Sequence, residues 1–224
     1  MQNYSENVNL ALENSNAIII IGAGGHAGVI NDIIKMDGRY TVAGVIDSRL
    51  KAGDPWKPGI HCLGDDSALE DIFKSGITNA VIGIGEGKNL RFTLYQKLKK
   101  IGFNFPTLIH PSAIISDDQV NIGEGSVIMP SVVINCCTNI GKLAIINTGV
   151  IIEHNCSIGY NVHVAPTACI LGGVYIGNFV HIGAKAVILQ NCTVGDRAII
   201  GLGAIVIRNV LNGLTVVGVP AKPI

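Results

Sequence analysis

The chain has 224 residues, and its 16 basic and 16 acidic residues leave no net charge at pH 7. This balance, without any Lys/Arg run, argues against a nucleic-acid partner or a membrane-surface patch. No apolar run is long enough to cross a membrane, and the first residues lack the basic and apolar regions of a signal peptide, which predicts a cytoplasmic protein.

The cysteines show neither a C-x-x-C pair nor a zinc-type spacing with histidine. In a chain with no sign of secretion, such cysteines are reduced rather than joined in a disulfide framework. We therefore predict free thiols and no metal ion. The six residues are Cys62, Cys136, Cys137, Cys156, Cys169 and Cys192.

The first half of the chain alternates between strand-like and helix-like segments. Residues 1–16 precede the first apolar segment and are predicted to be a flexible extension. Strands that alternate with helices predict a parallel sheet with right-handed crossovers, so residues 17–109 are assigned to an α/β, Rossmann-like domain of about four strands. The segments are AIIII, VINDIIK, TVAGVID, DDSALEDIFKSG, NAVIGIG, NLRFTLYQKLKKIG and FPTLI.

A glycine-rich turn, GAGGHAG, follows the first strand and opens a helix. In this context backbone N–H groups at the helix N-terminus bind phosphate or pyrophosphate. Gly22, Gly24 and Gly25 are therefore predicted to bind a nucleotide-bearing substrate, and His26 could donate to the same phosphates. The alternatives are a turn needed only for packing and a His26 that is a polar helix-start residue with no ligand.

A nicotinamide dehydrogenase is the rival interpretation of this half. Asp47 ends the second strand, about where such enzymes hold the ribose hydroxyls. The unit lacks a second mononucleotide half, however, which favours a nucleotide-bearing substrate over NAD. The third turn, GIGEGKNLR, adds Gly85 and Arg91 at the same sheet edge. Arg91 is either a ligand of the substrate or a solvated helix residue.

The second half, residues 110–224, has a period of six. The first residues of fifteen consecutive blocks, every sixth residue from Ile122 to Val206, are all β-branched. This period predicts an all-β, left-handed parallel β-helix in which three hexapeptides make one coil. The first and fifth positions are predicted to point inward. The Gly or Asn at many second positions is predicted to supply the positive φ of the corners.

Residues eighteen apart stack on successive coils, so the sequence predicts what each face presents. Two outward columns are largely apolar, one from Val127 to Ile199 and one from Val133 to Ile205, whereas the third is polar. Two apolar faces in water are unfavourable. We therefore predict a homotrimer that covers two faces of each subunit.

The same register places the histidines. His154 occupies a corner with Gly172 one coil further on, which predicts an open notch beside an imidazole, and Glu153 is its acidic neighbour. His163 falls on an apolar face. The corner column that contains Ala184 and Leu202 is small or uncharged and could hold a long, thin ligand.

Together, the glycine turn, the hexapeptide repeat, the E-H-x-C corner with a second histidine nine residues later and the ending VGVPAKPI resemble the sialic acid O-acetyltransferase and UDP-N-acetylbacillosamine family. The resemblance implies a trimeric, acetyl-CoA-dependent N-acetyltransferase for nucleotide-linked amino-dideoxy sugars, active in making lipopolysaccharide, capsule or protein glycan. UDP and GDP remain open as the nucleotide.

The resemblance also implies roles for individual residues. His154 corresponds to the general base, Asp47 and Ser48 to a pair near the nucleotide base, and Gly24, Gly25 and His26 to the phosphate-binding turn. For acetyl-CoA, which would lie between neighbouring β-helices, it implies contacts from His163, Gly172, Ala184, Leu202 and Lys222.

One departure concerns the base itself. Several family members have an acidic residue directly after the histidine, and this chain has Asn155. Either Asn155, Glu153 or a backbone carbonyl would then orient His154. Two other functions stay open at this point: an O-acetyltransferase acting on a sugar hydroxyl, and a trimeric module that binds nucleotide sugars without catalysis.

Overall fold

The computed structural model describes residues 16–85, 87 and 89–224, so the predicted extension lies outside the described residues except for Asn16. The chain divides into two compact units, the first ending at Pro106 and the second running Thr107–Ile224. Within the described part, no helix is both long and apolar enough to cross a lipid bilayer.

The first unit is built on a five-stranded sheet in the order β3-β4-β2-β1-β5. All of its strand pairs are parallel except the β3–β4 pair, which is antiparallel. Every residue of β1 is buried, as expected for a strand inside a parallel sheet. The elements are β1 (Ala17–Ile21), α1 (Gly25–Asp37), β2 (Thr41–Ile46), β3 (Pro55–Lys57), β4 (Ile60–Gly64), a 3₁₀ turn (Asp66–Ala68), α2 (Leu69–Lys74), β5 (Asn79–Ile82) and α3 (Leu90–Ile101).

Two details of this unit differ from the sequence prediction. The hairpin of β3 and β4 was not predicted, although it supplies two of the five strands. The segment FPTLI was predicted to be a strand of this sheet, and that prediction is wrong. Its last two residues, Leu108–Ile109, pair instead with Val127–Ile128 in the second unit.

The second unit is a parallel β-helix with three faces, which confirms the period-six prediction. Strands pair with strands eighteen residues further on, as in Ser157↔Tyr175. Face 1 contains Leu108–Ile109, Val127–Ile128, Ile145–Ile146, His163–Val164, His181–Ile182, Ile199–Ile200, Thr215–Val217 and Lys222–Pro223. Face 2 contains Ile114–Ile115, Val133–Ile134, Ile151–Ile152, Cys169–Ile170, Val187–Ile188 and Ile205–Val206. Face 3 contains Asn121–Ile122, Asn139–Ile140, Ser157–Ile158, Tyr175–Ile176 and Thr193–Val194.

The interior of the β-helix is the predicted ladder of aliphatic side chains. The first-position residues from Ile128 to Val206 are all buried. Small fifth-position residues, such as Ala144 and Ala186, have no exposed surface. Burial of this apolar column stabilises the unit at roughly 25 cal/mol per Å² removed from water.

The prediction that second-position residues supply the positive φ is wrong. The left-handed residues occupy the fourth position instead, as Asn155 (φ 60) and Phe179 (φ 57) illustrate. The second-position glycines are needed for close packing between coils. A Cβ on Gly141 would lie 2.6 Å from the Gly159 carbonyl carbon and from the Tyr160 nitrogen.

This assignment predicts unequal costs for two glycine substitutions. Gly141→Ala should destabilise the protein by about 3 kcal/mol, because backbone atoms of the next coil cannot move aside. Gly203→Ala, with φ +65 and no atom within 4 Å of the added Cβ, should cost about 1 kcal/mol. Urea unfolding of both variants measures the difference, and equal losses would contradict the close-packing role.

The two apolar faces are less alike than predicted. On face 1, Val127 and Ile145 are each only 2% exposed within the single chain, and apolar exposure appears later, at Ile199. Face 2 has a row of at least partly exposed apolar residues, with Ile114 68% and Ile151 38% exposed. Face 2 therefore presents a longer row of accessible apolar side chains.

Candidate active site

The first unit contains a cavity of about 890 Å³ at the carboxyl ends of β1, β2 and β5. Several residues that line it were not predicted from the sequence, because the cavity brings together segments that are distant in the chain. These residues are Ile21, Ile46, Arg49, Asp65, Asp66, Gly83, Ile84, Leu90 and Leu94. The predicted residues that line it are Gly22, Gly24, Gly25, His26, Asp47, Ser48 and Gly85.

The glycine turn leaves room for a ligand at the start of α1. A Cβ added to Gly24 or Gly25 would have no atom within 4 Å. The first N–H groups of α1 have no partner within the helix, as at any helix start. Gly24 is the N-cap residue of α1, and no side-chain hydrogen bond caps the helix there. The turn therefore has room for an anion at a helix start, and its binding of phosphate stays a prediction.

The Asp47 carboxylate is bound on both oxygens by protein groups. Oδ1 accepts from the Arg49 backbone N–H and from Arg49 Nε, both at 2.9 Å. Oδ2 accepts from the Ala23 N–H at 2.8 Å and from Arg49 Nη2 at 2.6 Å. The Arg49 guanidinium, together with the two backbone donors, outweighs the opposing effect of burial and holds the pKa of Asp47 far below its usual range.

His26 lines the same cavity and is neutral at pH 7. Burial, reinforced by the charge of Arg91, lowers the pKa of His26 to about 4. Its Nε2 atom is buried and has no hydrogen-bond partner among the described residues.

Arg91 is 6% exposed, so the interpretation as a solvated helix residue is wrong. Its Nη1 donates to the Gly85 carbonyl at 2.9 Å, and burial lowers its pKa to about 10. Arg91 does not line the cavity, and its bond to Gly85 joins α3 to the third turn.

The depressed pKa of His26 predicts acid-sensitive stability. Between pH 6.5 and pH 4 the unfolded histidine binds more protons than the folded one, so stability falls as the pH drops through this window. We expect the free protein to lose about 2 kcal/mol between pH 7 and pH 5. His26→Gln, which cannot titrate, should flatten this dependence in urea unfolding; an unchanged dependence would show that another group is responsible.

The β-helix contains a second pocket, of about 480 Å³, around His154 at the corner between faces 2 and 3. His154 is exposed there. The pocket shows that the predicted His154–Gly172 juxtaposition exists. It is lined by Glu153, His154, Asn155, Leu171, Gly172, Gly173, Gln190 and Asn191.

Asn155, and not Glu153, contacts the imidazole. His154 Nδ1 lies 2.8 Å from Asn155 Oδ1, whereas a Glu153 oxygen accepts from Asn135 Nδ2 at 2.8 Å. An amide oxygen only accepts, so Nδ1 bears the hydrogen in this pair, and in the neutral imidazole Nε2 is the nitrogen with the lone pair.

The sequence predicted an empty notch beside Gly172. The space is instead taken up by the His154 imidazole, which lies against Gly172. A Cβ on Gly172 would be 2.8 Å from His154 Cε1 and 2.9 Å from Nε2. The missing side chain therefore makes room for the histidine ring. Gly172 also lines the pocket, and its predicted contact with acetyl-CoA stays a prediction.

The other residues predicted to bind acetyl-CoA do not line this pocket within one chain. His163 is buried on face 1, with Nε2 3.3 Å from Asn147 Nδ2 and its ring edge-on to His181 at 5.0 Å. Leu202 is 82% exposed at the corner between faces 1 and 2, and Lys222 is exposed near the chain end.

One group among the described residues has the ligand types for a metal ion. Asp118, Cys136 and Cys137 bring their ligand atoms within 4.8 Å of one another. Desolvation, then the nearby Cys136 and Asp118, raises the pKa of the Cys137 thiol. A protonated thiol is a poor metal ligand. The prediction that the protein uses no metal therefore stays a prediction.

Each unit contains a match to a known family. Residues 17–98 match the PglD N-terminal domain, and residues 173–208 match the bacterial transferase hexapeptide family of six repeats. A curated Bacillus subtilis protein, a UDP-N-acetylbacillosamine N-acetyltransferase, is 35% identical over 113 residues. That match spans only half the length of each chain.

Two solved structures are similar over nearly the whole chain. PerB from Caulobacter crescentus, solved in complex with CoA and GDP-perosamine, is 36% identical with a TM-score of 0.87, covering 93% of this chain and 97% of PerB. The acetyltransferase domain of PglB from Neisseria gonorrhoeae is 30% identical with a TM-score of 0.86, covering 93% of this chain and 100% of that domain.

Proposed function

Because this chain belongs to the family of hexapeptide-repeat acetyltransferases that begin with a PglD N-terminal domain, we propose that it acetylates the amine of a nucleotide-linked amino-deoxy sugar with acetyl-CoA. The observation that best supports this activity is His154, exposed in a pocket with Nδ1 bound to Asn155 Oδ1. The nucleotide would bind in the separate cavity of the first unit.

The proposed reaction is direct transfer. A sugar amine is mostly protonated at neutral pH and must lose a proton before or while it attacks the thioester carbonyl carbon. The ammonium first gives one proton to solvent. As the C–N bond forms, His154 Nε2 takes the second N–H proton, and the C–S bond breaks to release CoA. The imidazolium then protonates the departing thiolate, so His154 returns to its neutral form.

Asn155 and Gly172 position the base in this proposal. Asn155 Oδ1 fixes the tautomer that leaves Nε2 unprotonated in the neutral ring, and Gly172 leaves space for the ring against the next coil. An amide oxygen stabilises the imidazolium less than a carboxylate would, because it carries no net charge. In this proposal His154 therefore works without the acidic neighbour that the family resemblance implies.

The phosphates of the nucleotide are proposed to bind at the glycine turn. The unpaired N–H groups at the start of α1 favour an anion, and the open space over Gly24 and Gly25 admits one. His26 lines the cavity and is neutral, so it would contribute a hydrogen bond rather than a charge. Ser48 lines the same cavity and is proposed to lie near the nucleotide base.

CoA release in the presence of different acceptors tests the proposed activity. UDP- and GDP-linked amino sugars should both be assayed, each beside the counterpart that has a hydroxyl in place of the amine. We expect release with at least one amine and none with its hydroxyl counterpart. Release with the hydroxyl compound would support O-acetylation, and no release with any acceptor would support a module that only binds.

We also propose that the active protein is a homotrimer, located in the cytoplasm with its two substrates. Within one chain His154 lies between faces 2 and 3, whereas His163 lies on face 1. If both act on one thioester, as the resemblance implies, they must come from neighbouring subunits. Acetyl-CoA would then lie between β-helices, near Ala184, Leu202 and Lys222.

The trimer proposal predicts opposite results for two exposed positions. Ile151→Asp on face 2 should give monomers or aggregates, because the interface would bury an unpaired charge. Tyr175→Asp on the polar face 3, where Tyr175 is 49% exposed, should remain trimeric. Light scattering measures both masses, and a wild-type mass near one subunit would exclude the trimer.

A further inference from the structure

Trp56 is placed to fix the glycine turn, although it does not line the nucleotide cavity. Its indole Nε1 donates to the Ala23 carbonyl at 2.8 Å. Trp56 belongs to β3, in the hairpin that the sequence did not predict, and lies 33 residues from Ala23 in the chain. The turn and the hairpin are thus joined by a side chain of the first unit.

Asp47 binds the other backbone polar group of Ala23, its N–H. Its Oδ2 accepts the Ala23 N–H at 2.8 Å, so both backbone polar groups of Ala23 are bound by side chains. The carbonyl and the N–H of one trans peptide point in opposite directions. Fixing the Ala23 carbonyl toward Trp56 therefore fixes the direction of the Gly24 N–H, at the start of α1.

The Asp47 carboxylate has no acceptor capacity left for a ligand. Each of its oxygens already accepts two hydrogen bonds, from Ala23 and Arg49. A carboxylate offers about four acceptor positions, and all are used. Asp47 therefore has no position left to accept a hydrogen bond from the substrate, although the family resemblance implies that it lies near the nucleotide base.

From these contacts we propose that Trp56 and Asp47 are positioning residues, a two-sided clamp on Ala23 that aims the amides of the glycine turn at the diphosphate of the substrate. The clamp rests on the proposed nucleotide-sugar function. It adds that diphosphate affinity depends on two side chains that do not touch the phosphates. The ionised state of Asp47 is maintained well below neutral pH, because Arg49 stabilises the carboxylate.

A comparison of nucleoside diphosphates with nucleosides tests the clamp. Full-length wild type, Trp56→Phe and Asp47→Asn are titrated with UDP, GDP, uridine and guanosine, and binding is followed by ligand-detected NMR. Trp56→Phe keeps a ring but loses the donor, so its affinity for the diphosphate should fall about 10-fold. Asp47→Asn should lose at least as much. Nucleoside affinity should change less than about twofold, because the clamp acts on the phosphate amides.

Two further readouts separate positioning from general damage. Trp56→Phe should keep its kcat at saturating acceptor and its affinity for acetyl-CoA, so the defect appears in the acceptor KM. Lys57→Met is the matched control, since the Lys57 ammonium lies 5.6 Å from the Trp56 ring centre and 3.9 Å from Asp32 Oδ1. Its affinities should equal those of wild type. Trp56 is the single tryptophan, so UDP or GDP, but not the nucleoside, should change the fluorescence of wild type.

Three results would overturn the clamp. Unchanged diphosphate affinity in Trp56→Phe would show that the indole bond does not position the turn. Equal loss of nucleoside and diphosphate affinity in Asp47→Asn would make Asp47 a direct ligand. If either variant result is found while wild type still transfers acetyl groups, the clamp fails and the proposed function stands. If wild type binds neither UDP nor GDP, both the clamp and the proposed function fail.

Discussion

Replacing His154 with alanine should lower kcat by about 10² to 10⁴, the usual loss when a general base is removed. The pocket keeps its shape, so the affinity for acetyl-CoA should change much less. The exposed position of His154 makes a large effect on folding unexpected. Steady-state kinetics at saturating concentrations of both substrates measures the effect on kcat.

His154→Asn is the matched variant for this test. It keeps a polar side chain of similar reach, but an amide cannot take a proton at neutral pH, so its kcat should fall as far as that of His154→Ala. Both variants should unfold at the wild-type temperature. A near-normal kcat in either one would mean that water or another residue removes the proton, and that His154 is not the base.

Gly172→Ala should lower kcat by about 10²-fold without unfolding the protein. The new Cβ would lie 2.8 Å from His154 Cε1, so the imidazole would have to turn and lose its contact with Asn155. A displacement of about 1 Å in a catalytic group is enough for a loss of this size. Gly172 has no positive φ, so alanine is acceptable to the backbone.

A double-mutant cycle shows whether Gly172 acts through His154. With the ring already removed in His154→Ala, adding Gly172→Ala should cost almost nothing more, since there is no imidazole left to displace. Additive losses in kcat would instead indicate an independent role, such as a direct contact with acetyl-CoA.

The β-helix could be predicted from the sequence because its period is set by geometry. Three hexapeptides make one coil, so the inward positions recur every sixth residue and the stacked pairs every eighteenth. The placement of Gly172 one coil beyond His154 followed from this arithmetic. The same arithmetic could not assign the glycine roles, because positive φ and close approach of two backbones both select glycine.

The first unit was harder to predict for a different reason. An apolar run such as FPTLI has the composition of a strand whichever sheet it joins, and its pairing with Val127–Ile128 depends on the coil that follows. The hairpin of β3 and β4 is short and begins with Pro55, so it lacks a strong strand signal.

The candidate sites show the same limit. Glycine turns and a lone histidine can be recognised in sequence, but the partners of a side chain cannot. Asp47 was predicted near the ligand, and its saturation by Ala23 and Arg49 depends on how the turn folds back. The contact of Trp56 with Ala23 joins segments with no shared motif.

Product analysis after incubation with ¹³C-labelled acetyl-CoA tests the central claim, direct N-acetylation of a nucleotide-linked amino sugar. Wild-type protein is incubated with the amino-sugar acceptor that gives CoA release, and the product is examined by mass spectrometry and NMR. The proposed function predicts one labelled acetyl group per sugar, bound as an amide to the sugar nitrogen, and none when His154 is alanine on the same time scale. Label found as an ester on a sugar hydroxyl, or only as free acetate, would contradict it.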